Sequence, residues 1–115
     1  MANRSIAGVQ LQGCAALASL AVDAESDAAI TEAGGIEAVV AAMKAHSSSE
    51  GVQEQGCAAL ASLAANEENK TAIVGAGGIE VVVAGMRAHG SVAGVQKMGC
   101  CALANLSGNE ENWRV

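Results

Sequence analysis

The sequence contains no proline, no phenylalanine and no tyrosine, and Trp113 is its only tryptophan. A core built on large aromatic side chains is therefore excluded. The apolar half of the chain is mostly alanine, valine, leucine and isoleucine, whose small size lets helices approach to the lower end of the usual ~8–10 Å axis separation. Each helix then buries a modest apolar area, so stability must be summed over many similar interfaces.

Positive charge is also scarce, since six lysines and arginines stand against twelve acidic residues and give a net charge of −6. The basic residues are scattered along the chain and form no cluster, which argues against nucleic acid or an anionic membrane as partner. No run approaches the ~18 apolar residues of a membrane span, and the N-terminus lacks a signal-peptide pattern. These features predict an intracellular protein of the cytoplasm or nucleus.

Cysteine occurs four times, and three copies share one position of an internal repeat: Cys14, Cys57 and Cys100. Neighbouring helices stand roughly 10 Å apart, beyond the ~7 Å Cα separation that a disulfide tolerates. We therefore interpret these thiols as small buried hydrophobes in a reducing compartment. The adjacent pair Cys100 and Cys101 points about 100° apart on a helix, so no metal site and no cofactor is predicted.

The dominant feature of the chain is a segment that occurs three times. It reads GVQLQGCAALASLA from Gly8, GVQEQGCAALASLA from Gly51 and GVQKMGCCALANLS from Gly94, so the copies are 43 residues apart. Between them AGGIE recurs from Ala33 and Ala76. A fixed period of roughly 20–50 residues is typical of stacked repeat units.

Each period predicts a short, a medium and a long helix. Asp23, Asn66 and Asn109 are candidate N-caps of the short helix, and glycine pairs end it. Ser47 and Glu50 have the spacing of a capping box for the long helix, and we expect His46 and His89 to satisfy the last carbonyls of the medium helix. The predicted divisions are a partial repeat at 1–23, complete repeats at 24–66 and 67–109, and the start of a truncated repeat at 110–115. We therefore expect a fragment of a longer array.

The three-helix unit resembles the armadillo repeat from Gly8 to the C-terminus. The resemblance rests on the capped short helix 67–76, the AGGI turn at 76–79 and the ALANL segment at 102–106. It implies an all-α, right-handed solenoid that binds an extended peptide along a concave face of its long helices. Asn105 matches the asparagine that grips peptide backbones in the family. The family's tryptophan position is occupied here by Ala15, Ala58 and Cys101, so the stacking platform is absent.

The predicted peptide-binding face follows from this register. Its residues share one side of the long helices, because positions three or four apart are neighbours on a helix. They are Gln12, Ser19, Gln55, Ser62, Cys101 and Asn105. The competing interpretation is a solvated face whose small polar residues prevent aggregation. The acidic net charge favours a basic peptide as partner.

A second function class is a structural element, natural or engineered, that assembles through uncovered ends into a homodimer or larger oligomer. The predicted end residues are Val9, Leu17, Val95, Leu103, Leu106 and Trp113. An enzyme is not predicted. No histidine lies near a cysteine in the repeat register, and the AGG turns lack the lysine and glycine spacing of a phosphate-binding loop.

Overall fold

The computed structural model describes Gly8, residues 12–16 and residues 24–107 of the 115-residue chain. Gly8 and residues 12–16 are helical, and six further helices follow. These are α1 (Ala24–Glu32), α2 (Gly35–Ala45), α3 (Glu50–Leu63), α4 (Glu67–Gly75), α5 (Gly78–Ala88) and α6 (Ala93–Ser107). The described ranges contain no strand, which confirms the all-α prediction. The sequence of short, medium and long helices occurs twice.

The turns between α1 and α2 and between α4 and α5 depend on glycine. Gly34 and Gly77 have φ angles of 87° and 89°, the left-handed region that glycine adopts without a side-chain clash. Each turn bends the chain within two residues and starts the next helix at once. The prediction that glycine pairs end the short helices is confirmed.

The starts of α3 and α4 are capped by short polar side chains. The Asn66 side chain accepts a hydrogen bond from the Glu68 amide at 2.8 Å, as predicted from its position. The predicted capping box of Ser47 is wrong, because Ser49 is the N-cap and its Oγ accepts from the Val52 amide. Residues 46–48 complete a turn after α2 first, so the long helix begins at Glu50. Asp23 and Asn109 lie outside the described residues.

The ends of α2 and α5 are closed by glutamine side chains from the helix that follows. Gln53 Nε2 donates to the carbonyls of Met43 and His46, each at 3.0 Å. Gln96 Nε2 donates to Met86 O and His89 O, 43 residues later in the chain, at 2.9 and 3.0 Å. The last carbonyls of a helix have no partner within it, so each amide supplies the donor that the helix end lacks.

The end of α3 is closed by two asparagine side chains. Asn69 Nδ2 donates to Leu63 O at 3.0 Å, and Asn105 Nδ2 donates to Ala61 O at 2.8 Å. Asn69 is 3% exposed, and its Oδ1 accepts a hydrogen bond from Thr31 Oγ1 at 2.8 Å. These bonds tie α1, α4 and α6 to the last turn of α3.

The core is centred on α3, which packs along α6 more extensively than any other described pair of helices. Eight of its residues are buried, Val52, Cys57, Leu60 and Leu63 completely. The Met43 and Met86 side chains occupy the space beside Gly56 and Gly99, so glycine at these two positions leaves room for a methionine. In the described ranges no single helix is long and apolar enough to cross a membrane. The one candidate by length and composition is the pair α4–α5, which bends by 72° at its turn.

Candidate functional site

The predicted peptide-binding face is distributed over the long helices. Gln55 and Ser62 lie half-buried on α3, while Cys101 and Asn105 are exposed on α6. Gln12 is exposed on the helical segment 12–16, and Ser19 lies outside the described residues. Because α3 and α6 pack along each other, the Ser62 and Asn105 positions come close at the ends of these two helices.

Asn105 is the best-defined polar group of this face. Its Nδ2 donates at 2.8 Å to Ala61 O, one of the last carbonyls of α3, although the residue itself stays exposed. An asparagine amide has two N–H donors and one oxygen acceptor, so one N–H and Oδ1 remain to face solvent. The hydrogen bond to α3 fixes the orientation of the amide before any ligand arrives. Such preorganisation lowers the ordering cost of binding.

Gln53 and Asn69 carry structural roles that sequence reasoning missed. Both are almost fully buried, and both hold helix ends together through side-chain amides. A signal was available for Gln53, because the GVQ triplet gives Gln10, Gln53 and Gln96 the same position in all three copies. A weaker signal was available for Asn69, because it recurs as Asn112 one copy later although its counterpart one copy earlier is Ser26.

The predicted end residues are only partly accessible. Val95 is fully buried within the chain and offers no area to a partner, which differs from the expectation of an uncovered apolar side. Leu103 and Leu106 are half-buried and pack against the core. Val9, Leu17 and Trp113 lie outside the described residues.

The cysteines divide into two buried and two exposed thiols. Cys14 and Cys57 are buried, as predicted, whereas Cys100 is exposed although it occupies the same repeat position. Cys57 lies within the core on α3, the helix along which α6 packs. In the described part of the chain no further helix packs over Cys100 on α6 in the same way. Burial raises the pKa of the Cys57 thiol to about 12 and raises that of Cys14 in the same direction.

We expect the raised Cys57 pKa to make the protein less stable in alkaline solution. The unfolded thiol ionises near pH 8.5 while the folded thiol stays neutral, so unfolding is favoured as pH rises from there towards the folded pKa of about 12. We expect the free energy of unfolding to fall by about 1.4 kcal/mol for each pH unit in this range. Urea unfolding between pH 8 and pH 10.5 measures it. The Cys57→Ala variant is the control and should show a shallower decline, while equal slopes in the two proteins would contradict the assignment.

The histidines and acidic groups of the described residues are dispersed. No cluster of three or more potential metal ligands occurs there. The ring Nε2 of His89 lies 2.9 Å from Ser47 O, in the loop after α2, rather than on a carbonyl of its own helix as predicted. The ring thus connects the end of α5 to the end of α2. Glu67 pairs with Lys70 one turn later on α4, at 2.9 Å.

A shallow cavity of about 320 Å³ lies between α2 and α5. Its lining combines apolar side chains with the Gln53 amide and two charged residues: Met43, Lys44, Ser47, Gln53, Glu80, Val81, Ala84 and Gly85. A Cβ at Gly85 would lie 2.7 Å from Gln53 Oε1, so a larger residue there would displace the Gln53 amide. The lining holds no cysteine or histidine that could form a nucleophile–base pair.

Comparisons of the chain with protein-family models, with curated proteins and with solved structures give no match.

Proposed function

We propose that this chain is a non-catalytic protein-interaction module of the armadillo type, which binds an extended peptide along the face of its long helices. The proposal includes right-handed stacking of the three-helix units. It is supported by contacts that recur at the repeat spacing, since Gln53 and Gln96 bind equivalent carbonyls. Gly56 and Gly99 likewise receive equivalent methionines. The four free cysteines fit a reducing intracellular compartment.

The single observation that carries the peptide-binding proposal is the exposed, preoriented amide of Asn105. A peptide backbone in an extended conformation presents alternating N–H and C=O groups, and an asparagine amide can pair with both. Gln55 and Ser62 extend this polar line onto α3. These side chains would bind the backbone of the peptide, so peptides of many different sequences could bind.

The net charge of the chain and the absence of tryptophan side chains on the predicted peptide-binding face indicate which peptides it would bind. The net charge of −6 attracts basic peptides over long range, and this attraction weakens as salt is added. Ala58 and Cys101 stand where a tryptophan would form a side-chain pocket, so few deep contacts are available. We expect affinities in the micromolar range or weaker.

The test is a titration of a panel of extended basic peptides against the wild type and Asn105→Ala. Loss of one backbone-gripping amide should weaken binding by about 1 kcal/mol, roughly fivefold in dissociation constant. The matched control is Ala41→Ser, an exposed position on α2 where no charge changes, and it should bind as the wild type does.

A second variant separates binding from folding. Asn105→Ser keeps a hydroxyl at this position, as Ser62 does on α3, and should bind with intermediate affinity. Circular dichroism of each variant verifies that the helices persist without the Ala61 bond. Equal affinities of wild type and Asn105→Ala in folded protein would reject the proposed role of this face.

A further inference from the structure

One surface of α5 and α6 exposes residues whose counterparts, 43 residues earlier, are buried. We call it the tail face and define it by Ile79, Cys100, Leu103 and Leu106. Ile79 is 38% exposed, Cys100 is exposed and the two leucines are half-buried. The counterparts are Ile36, Cys57, Leu60 and Leu63, each at most 1% exposed.

Helices α4 to α6 of the same chain pack over those counterparts. Helix α6 packs along α3, and Asn105 on α6 donates to Ala61 O on α3. Thr31 on α1 and Asn69 on α4 are joined in the same way across this junction. The tail face therefore repeats the chemistry of a surface that accepts a long helix of this same sequence type.

The helical segment 12–16 exposes residues whose counterparts later in the chain are buried. Ala16 is exposed, whereas its counterparts Ala59 and Ala102 on α3 and α6 are fully buried. Gly13 is also exposed and has no neighbouring atom within 4 Å of the position a Cβ would take. We call the surface formed by Gly13 and Ala16 the head face. It belongs to a segment whose sequence is nearly identical to that of α3 and similar to that of α6.

We propose that the tail face of one copy of this chain docks on the head face of a second copy, long helix against long helix, in the way that α6 packs on α3. The two surfaces differ, so the contact is heterologous and leaves a free head and a free tail on every dimer. Association then continues into short open chains instead of stopping at two copies. Added salt strengthens it, because it screens the repulsion between copies of net charge −6. The opposite salt response is expected of basic-peptide binding, so the two activities are separable.

Adjacent cysteines provide a direct measurement of this contact. Cys100 belongs to the tail face, while Cys101 points about 100° away towards the predicted peptide-binding face, and both are exposed. Alkylation under reducing conditions, followed by mass spectrometry across a range of protein concentrations, gives the reactivity of each thiol. We expect Cys100 to react at least tenfold more slowly at high concentration and Cys101 to stay unchanged. Unchanged reactivity of both thiols, or an equal fall in both, overturns the proposal.

A pair of blocked variants tests the polarity of the contact. Cys100→Lys places a charge on the tail face, and Ala16→Lys places one on the head face; both positions are exposed. Each variant alone should be monomeric by sedimentation, and their equimolar mixture should form a 1:1 dimer that grows no further. Ala38→Lys adds the same charge at an exposed position on α2 and should associate at least as strongly as the wild type. A monomeric wild type at high micromolar concentration, or a mixture that stays monomeric, overturns the proposal.

Discussion

Replacement of Gln53 by methionine is expected to lower the free energy of unfolding by about 2 kcal/mol. Methionine keeps the length and helix preference of glutamine but removes the amide. The carbonyl of Met43 then loses the donor that Gln53 supplied, and Gln53 itself is only 1% exposed. The carbonyl of His46 keeps its hydrogen bond from the Ser49 amide. A buried polar group left without a partner costs about 1–3 kcal/mol, and one such carbonyl gives the expected size.

The chain supplies its own control for this prediction. Gln96 makes the same two bonds at the end of α5 but is half-buried, so water can reach the Met86 carbonyl that Gln96→Met leaves without a donor. That variant should lose only about 1 kcal/mol. Urea unfolding followed by circular dichroism measures both. Equal losses at the two positions would show that burial does not set the cost.

Substitution of Gly78 by alanine is expected to destabilise the chain by about 3 kcal/mol. The added Cβ would lie 2.9 Å from the carbonyl oxygen of Ile73 and would collide with the Cγ2 atom of the same residue. Ile73 is fully buried, and a backbone oxygen at the end of α4 cannot move without opening the turn to α5. Steric overlap in a tightly packed site typically costs 1–3 kcal/mol, and the backbone contact puts this case at the upper end.

Gly75→Ala is the matched control, three residues earlier at the last position of α4. Nothing lies within 4 Å of its Cβ position, and the residue is exposed. Alanine there should stabilise the chain by about 0.5–1 kcal/mol, because it reduces the freedom of the unfolded backbone and favours the helix. Thermal unfolding of both variants gives the comparison. A loss of the same size in Gly75→Ala would mean that helix propensity, not the contact with Ile73, controls stability at this turn.

The two predictions bear on the proposed functions because both sites hold helices in place relative to one another. Gln53 joins the start of α3 to the end of α2, and Gly78 sets the turn that leads from α4 into α5. The predicted peptide-binding face and the tail face both depend on the positions of these helices. Loss of either contact should therefore also weaken peptide binding and self-association, whereas Asn105→Ala should affect mainly the first.

Local chemistry explains which features could be predicted from sequence. Asn66 was recognised as an N-cap because a short polar acceptor before acidic residues acts through neighbouring backbone amides alone. Gly34 and Gly77 were recognised because a left-handed turn residue is set by its own backbone. Ser49, rather than Ser47, caps α3, because three consecutive serines offer equivalent acceptors and the length of the preceding turn chooses among them.

The helices, their order and the 43-residue spacing can be predicted from the sequence alone, since they depend on side-chain periodicity and on turn residues close in the chain. Which copy of a repeated residue is buried depends instead on how the helices pack in three dimensions. Cys57 and Cys100 stand in nearly identical sequence surroundings, yet one has a pKa raised to about 12 in the core and the other is exposed. The same holds for Asn105, whose amide is fixed by the Ala61 carbonyl, 44 residues away. Burial and long-range hydrogen bonds depend on which helices pack together, and a local sequence pattern does not predict this packing.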